Sequence, residues 1–178
     1  MVIENEPIVS FETALGRCGI RWSEAGITGT QLPGPRLRTW PRLDDSVHVP
    51  GFVRATIDGI TAVLDGQTGP AADLGGAPLD EQGIDPFRRR VYAATRTLAP
   101  GTTATYGEIA RGIGVPDGAR DVGAALARNP FPVIVPCHRV IAASGALTGF
   151  SAAGGVATKR RMLELEGAPG FGQQRLFG

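Results

Sequence analysis

The sequence predicts an α+β protein, with a small amino-terminal β-sheet domain followed by a mostly helical domain. Three observations carry that expectation. Residues Phe11 to Leu32 alternate weakly between apolar and polar and are broken by Gly16, Gly19, Gly26 and Gly29, the pattern of short strands joined by tight turns. From Asp85 the period changes, and Phe87, Val91, Ala94 and Leu98 fall on one helical face. Two further short helical segments flank Gly114-Val115-Pro116, the spacing of a helix-turn-helix.

In chain order, Pro33 to Pro50 mixes proline with charge, shows no period and is expected to be loop. A helix is expected over Phe52 to Leu64, and the Gly/Pro/Asp stretch from Asp65 to Gly83 is expected to be a linker or long surface loop. The helix that begins near Asp85 is stopped by Pro100-Gly101. The helix-turn-helix would use Tyr106 to Ile113 and Asp117 to Arg128, with Asp117 capping the second helix. In that second helix Val122, Ala125 and Leu126 share an inner face. Its outer face holds Arg120, Asp121, Ala124 and Arg128, small in the middle and guanidinium at both ends. A last helix is expected from Val156 to Glu166, ended by Gly167 and Pro169. Glu166 lies four and three residues after the apolar Met162 and Leu163, so its carboxylate points along the buried side and wants a partner. The expected division is residues 1–83, 84–168 and a tail over 169–178.

Composition bounds the function. The 178 residues are 42% hydrophobic and 20% charged, enough for a globular core, and the net charge of +1 argues against a diffuse electrostatic nucleic-acid binder. A local, shape-reading binder stays open. Lys159 is the only lysine, so phosphate contacts would fall to arginine forks. Two cysteines, Cys18 and Cys137, do not make a secreted disulfide framework. There is no amino-terminal leader pattern, and the apolar runs are too short to span a membrane. A reducing cytoplasm and no membrane association are expected.

The chemistry concentrates in "PVIVPCHRVI", Pro132 to Ile141, where a thiol and an imidazole end an apolar run that looks like a core strand. A cysteine becomes nucleophilic when a base, cation or helix end lowers its pKa. His138 could be that base and Glu166 could orient it. In an extended strand, neighbours face opposite sides, so contact between Cys137 and His138 would need a turn or a bridging water.

The surrounding segment, residues 101 to 151, resembles the O6-alkylguanine-DNA alkyltransferases, also called methylated-DNA-protein-cysteine methyltransferases. The resemblance rests on Thr-Tyr-Gly-Glu-Ile-Ala from Thr105, Ala119-Arg120, Asn129-Pro130, Pro-Cys-His-Arg-Val and Ser-Gly-Ala-Leu-Thr-Gly. It extends more weakly to "PLDEQGIDPFRRRVYAATRTLAPG", to "TALGRCGIRWSEAGITG" and to Gly167, and is poorest over residues 33–75. It implies that Cys137 accepts the alkyl group, with His138 and Glu166 generating its thiolate through a water. It makes Asn129 the tie of the preceding turn and Tyr106 the group that assists the departing guanine. Arg120 would fill the space of an extruded nucleotide. Thr105, Ala119, Ala124 and Arg128 would lie against DNA in the minor groove. Pro132, Val140, Phe150, Ser151 and Lys159 would form the base pocket. The partner implied is double-stranded DNA carrying O6-alkylguanine, with one turnover per molecule and no cofactor. Some members of that family carry a zinc site in the amino-terminal domain, but the spacings of Cys18 and His48 do not supply one, so no metal is expected.

Three departures qualify the resemblance. Phe150 stands where most relatives have tyrosine, "FSAAGGVATK" is slightly longer than usual, and Asp121 puts an anion beside Arg120. Asp121 should weaken phosphate contact or pair with an arginine. The tail "GQQRLFG" presents Gln173, Leu176 and Phe177 in the order of short peptides that dock on sliding clamps, although packing of the tail on the body is the favoured expectation. Two rival functions remain: a damage-recognition protein that flips the base but reacts poorly, motivated by Phe150, the longer loop and Asp121, and a cysteine hydrolase built on Cys137, His138 and Glu166.

Overall fold

The computed structural model describes residues 6–172. Gln173, Leu176 and Phe177 lie outside the described residues. Strands β1 (Ile8–Thr13), β2 (Gly16–Trp22) and β3 (Ile27–Gln31) form an antiparallel sheet in the order β1-β2-β3, with a bulge between Arg21 and Trp22. Val9, Phe11, Cys18, Ile20 and Trp22 are buried together with Val53, Ile57, Ile60 and Leu64 of helix α1 (Gly51–Leu64). The glycine-punctuated alternation therefore marks a sheet with one face under a helix.

The region from Pro33 to Pro50, expected to be loop, packs on the sheet through a 3-10 turn at Pro35–Thr39. Its Leu37 is 2% exposed. Gly19 makes the slot: a Cβ there would stand 2.5 Å from Leu37 and 2.6 Å from the Trp40 ring. Ser10 locks the segment on, its amide donating to the Pro41 carbonyl at 2.8 Å and its own carbonyl accepting from the Leu43 amide at 2.7 Å. A buried residue every several positions has no period, which is why the sequence pattern did not reveal this packing.

The stretch from Asp65 to Gly83 is likewise packed. Ala72 and Leu74 are buried, and the Ile27 amide donates to the Pro78 carbonyl while the Asp80 amide donates back to the Ile27 carbonyl, both at 2.8 Å. Arg96 Nη2 donates to the carbonyls of Leu74, Gly75 and Ala77. Long-range side-chain to backbone bonds thus stand in for a regular element.

Helix α2 (Pro86–Arg96) begins at Asp85, whose side chain accepts from the Arg88 amide at 2.9 Å, with proline at the first helical position. Helix α3 (Tyr106–Gly112) opens with a capping box between Thr105 and Glu108. Helix α4 (Ala119–Ala127) has Gly118 at its cap position and no side-chain cap, so the expected role of Asp117 is not realised. The turn explains it. The Gly118 amide bonds the Val115 carbonyl at 2.8 Å, and a Cβ at this position would lie 3.0 Å from that oxygen, so glycine takes the cap and Asp117 falls one residue outside. Val122, Ala125 and Leu126 are buried while Arg120, Asp121, Ala124 and Arg128 are exposed, as the spacing predicts. Tyr92 of α2 holds α4 by donating to the Ala125 carbonyl at 2.9 Å. Helix α5 runs over Gly155–Leu165. No helix among the described residues is long and apolar enough to cross a membrane.

Two contacts position the site. A parallel pair, β4 (Ala104–Thr105) with β5 (Val140–Ile141), sets the start of α3 beside the chain leaving Cys137. Thr30 of β3 donates from its amide to the Pro130 carbonyl at 2.9 Å and from its hydroxyl to the Pro132 carbonyl at 2.7 Å, docking the sheet on the turn before the cysteine.

Candidate active site

The apolar run before Cys137 is not a strand. Phe131 to Val135 closes a turn in which the Val135 amide donates to the Phe131 carbonyl at 2.8 Å, and Val133 takes φ 76. A β-branched residue in this region costs roughly 1–3 kcal/mol and persists only where its surroundings impose it. Asn129 supplies the constraint: its Nδ2 donates to the Val135 carbonyl at 2.8 Å and its Oδ1 accepts from the Phe131 amide at 2.9 Å. Asn129→Ala would leave both groups without that partner, and we expect a loss of about 1–3 kcal/mol. A lower urea midpoint at unchanged slope is the check.

Cys137, His138 and Arg139 then form a 3-10 turn, so adjacent side chains stand about a third of a turn apart instead of on the opposite faces a strand would give them. Cys137 is half-buried at a cleft, whereas His138 is fully sealed. His138 Nε2 donates to Glu166 Oε1 at 2.7 Å, and its buried Nδ1 has no partner among the described residues. Glu166, the residue that ends α5, also accepts from the Gly101 amide at 3.1 Å.

Arg139 grips the same carboxylate, with Nε at 3.0 Å from Oε2 and Nη2 at 2.6 Å from Oε1, while Nη1 donates to the Leu98 carbonyl at 2.7 Å. Burial pushes the Glu166 carboxyl up, but the hydrogen bonds and charges of His138 and Arg139 outweigh it and hold the pKa down to about 2. Burial pushes His138 below its ordinary range against the pull of Glu166. The resting cluster is therefore a neutral imidazole beside a carboxylate neutralised by arginine. Nothing in the sequence pattern alone assigns Arg139 a role. A charged residue inside an apolar run, and a buried glutamate short of a partner, are the signals that could have paired them.

Lys159 is 1% exposed. Its Nζ donates to the Val140 carbonyl at 2.6 Å and the Thr148 carbonyl at 3.2 Å, and lies 3.5 Å from the Tyr106 hydroxyl. That hydroxyl also meets the Thr148 carbonyl at 3.3 Å. Burial lowers the Lys159 pKa, opposed by the proximity of Cys137, and raises that of Tyr106. The Cys137 thiol is itself pushed up by burial, against the Asn129 amide and the Lys159 charge. A cation, a phenol and a thiol thus converge.

The cleft beside Cys137 measures about 450 Å³ and includes Asn129, Pro132, Phe150 and Ser151. Val140 and Lys159 are buried and do not line it. On the helix-turn-helix, Arg120, Ala124 and Arg128 are exposed, Ala119 is half-buried, and the Thr105 hydroxyl is engaged as the cap of α3. Asp121 forms no ion pair among the described residues. The sheet half adds Arg21, Gln31 and Arg36 to the cleft wall, residues with no motif to mark them.

Residues 86–168 match the family model described as "6-O-methylguanine DNA methyltransferase, DNA binding domain". The chain is 46% identical over 117 residues to a methylated-DNA-protein-cysteine methyltransferase of Mycobacterium tuberculosis, covering 66% of this chain and 67% of that one. A protein of the same description from Methanothermobacter thermautotrophicus is 34% identical over 155 residues, covering 87% and 82%. Among solved structures, the fold is similar to Mycobacterium tuberculosis OGT in complex with DNA, with a TM-score of 0.70, 36% identity, and coverage of 92% of this chain and 96% of that one.

Proposed function

The chain belongs to the methylated-DNA-protein-cysteine methyltransferase family, and on that premise we propose that it repairs O6-alkylguanine, chiefly O6-methylguanine, by moving the alkyl group onto its own Cys137. The observation that carries this reading is a cleft-facing thiol directly followed by a sealed imidazole bonded to a carboxylate at 2.7 Å. The thiol's raised pKa means that the thiolate must be generated in place. His138 accepts the proton at the free Nδ1 through a water, and the imidazolium is stabilised by Glu166. Lys159 adds positive charge that favours the thiolate.

The thiolate attacks the alkyl carbon in line. The S–C bond forms, the C–O6 bond breaks, and over the whole reaction one proton passes from the thiol to guanine, which leaves neutral. Tyr106 donates a hydrogen bond to the leaving base. The product is a thioether, which no group in the site can cleave, so each molecule acts once and needs no cofactor.

A stacked O6 atom is beyond the reach of a thiol, so the nucleotide must be extruded, and a lesion that pairs badly costs least to flip. Helix α4 lies in the minor groove, where exposed Ala124 permits close approach and Arg120 fills the vacated stack. Phe150 and Ser151 border the base, and Asn129 fixes the turn that carries the thiol.

The test is incubation with a duplex containing O6-methylguanine, followed by peptide mass mapping. A methyl group on the Cys137 peptide is expected. An unmodified protein that still binds the lesion would overturn the reading in favour of damage recognition, and repeated turnover of an ester or amide would overturn it in favour of a hydrolase.

A further inference from the structure

The charge around the Cys137 cleft is one-sided in origin and in sign. The helical half contributes Asn129, Pro132, Cys137 and the Phe150–Ala153 segment, none of them charged. The sheet half contributes Arg21 and Arg36, and among the described residues no acidic one lines the cleft.

Arg21 is placed by the backbone beneath it. A Cβ at Gly29 of β3 would collide with Arg21 Nε and stand 2.8 Å from Nη2, so the guanidinium crosses the strand where the glycine leaves room. Its only ion-pair partner among the described residues is Glu6, at 3.8 Å. Arg36 lies exposed on the Pro35–Thr39 turn and takes part in none of the ion pairs among the described residues. The turn also abuts the far wall, since a Cβ on Gly34 would meet the Ala153 Cβ at 3.3 Å. Two guanidinium forks therefore stand at a neutral, base-accepting cleft with little else to bind.

We propose that Arg21 and Arg36 hold backbone phosphates of the extruded nucleotide, so that the amino-terminal sheet clamps the DNA from the side opposite the helix-turn-helix. This rests on the reading of the cleft as the site of an extruded base. A flipped base draws its two flanking phosphates toward the pocket mouth, and a planar guanidinium fork matches a phosphate in two parallel hydrogen bonds. Asp121 adds a negative charge to the outer face of α4, which increases the need for cations elsewhere. Arg21 and Arg36 are positioning residues, since they act on the phosphates and leave the reacting atoms to Cys137.

The experiment measures binding of the O6-methylguanine duplex across a salt series, using Cys137→Ser protein so that chemistry does not consume the complex. Each phosphate contact contributes roughly 0.7–0.9 to the slope of log affinity against log salt. Arg36→Gln should lower that slope by about this amount, and Arg21→Gln should do the same. Gly29→Ala should mimic Arg21→Gln by displacing the guanidinium. Arg38→Gln, on the same turn but outside the cleft, should leave the slope unchanged. Urea midpoints of the arginine variants, measured alongside, should match the parent. An unchanged slope for Arg36→Gln, or an equal drop for Arg38→Gln, overturns the clamp. Wild-type protein that transfers methyl while Arg36→Gln keeps the parent slope sinks the clamp alone. Wild-type protein that transfers nothing sinks the functional reading beneath it.

Discussion

Cys137→Ser protein gains no methyl group from an O6-methylguanine duplex and still binds it. A hydroxyl ionises roughly seven units above a thiol, taking water as the guide, which lowers the ionised fraction about 10⁷-fold. The more basic alkoxide recovers part of that loss, since nucleophilicity rises with a slope of about 0.4–0.5 per pKa unit. A deficit of about 10⁴-fold remains before the lower softness of oxygen is considered, enough to remove the product from a mass map. Binding survives because the cleft walls and the outer face of α4 are untouched. Methyl transfer to the protein at another residue in this variant would show that Cys137 is not the acceptor.

Glu166→Gln has the second large effect, on stability and on chemistry together. The carboxylate is shared by His138 and Arg139 in a buried cluster, and removing one partner of such a cluster costs about 3–5 kcal/mol because the arginine charge is left uncompensated. The effect carries a pH signature. Glu166 drops from an ordinary 4.5 to about 2 on folding, so its stabilisation is fully present above 4.5 and is lost as pH falls toward 2. That shift corresponds to a contribution on the order of 3 kcal/mol. His138 acts in the same direction, since its pKa is also depressed and the folded state prefers it neutral, so its share starts to fade as pH drops through the ordinary histidine range. Urea midpoints at pH 7 and pH 3 give the check: the gap between wild type and Glu166→Gln should be wide at pH 7 and narrower at pH 3. An equal gap at both values would mean that the carboxylate charge is not what stabilises the cluster. Methyl transfer by the variant should also slow, because the imidazolium formed at His138 loses its counter-charge.

The motif around Cys137 identified the thiol and its imidazole neighbour, but it suggested a strand, and the structure has a turn. The difference matters because a strand would send adjacent side chains to opposite faces. The 3-10 turn instead opens Cys137 to the cleft while sealing His138 against α5. Val133 at φ 76 cannot be read from composition, since valine is a residue least suited to that conformation. Asn129 imposes it through two hydrogen bonds that exist only after the chain has folded back.

By itself the sequence determined the elements whose causes are local: the glycine-broken strands, the helix that begins near Asp85, the two helices around Gly114-Val115-Pro116, and the outer face of α4 with Arg120, Ala124 and Arg128 exposed. Each depends on residues within a turn or two of one another, where periodicity and capping operate. Only the tertiary structure decided that Arg139 would share Glu166, 27 residues away, that Leu37 would fill the slot at Gly19, and that Arg21 and Arg36 would wall the Cys137 cleft. Those pairings join segments with no common period. They arise because a buried charge must find a counter-charge and a buried slot must be filled, requirements that name no partner until the chain has packed.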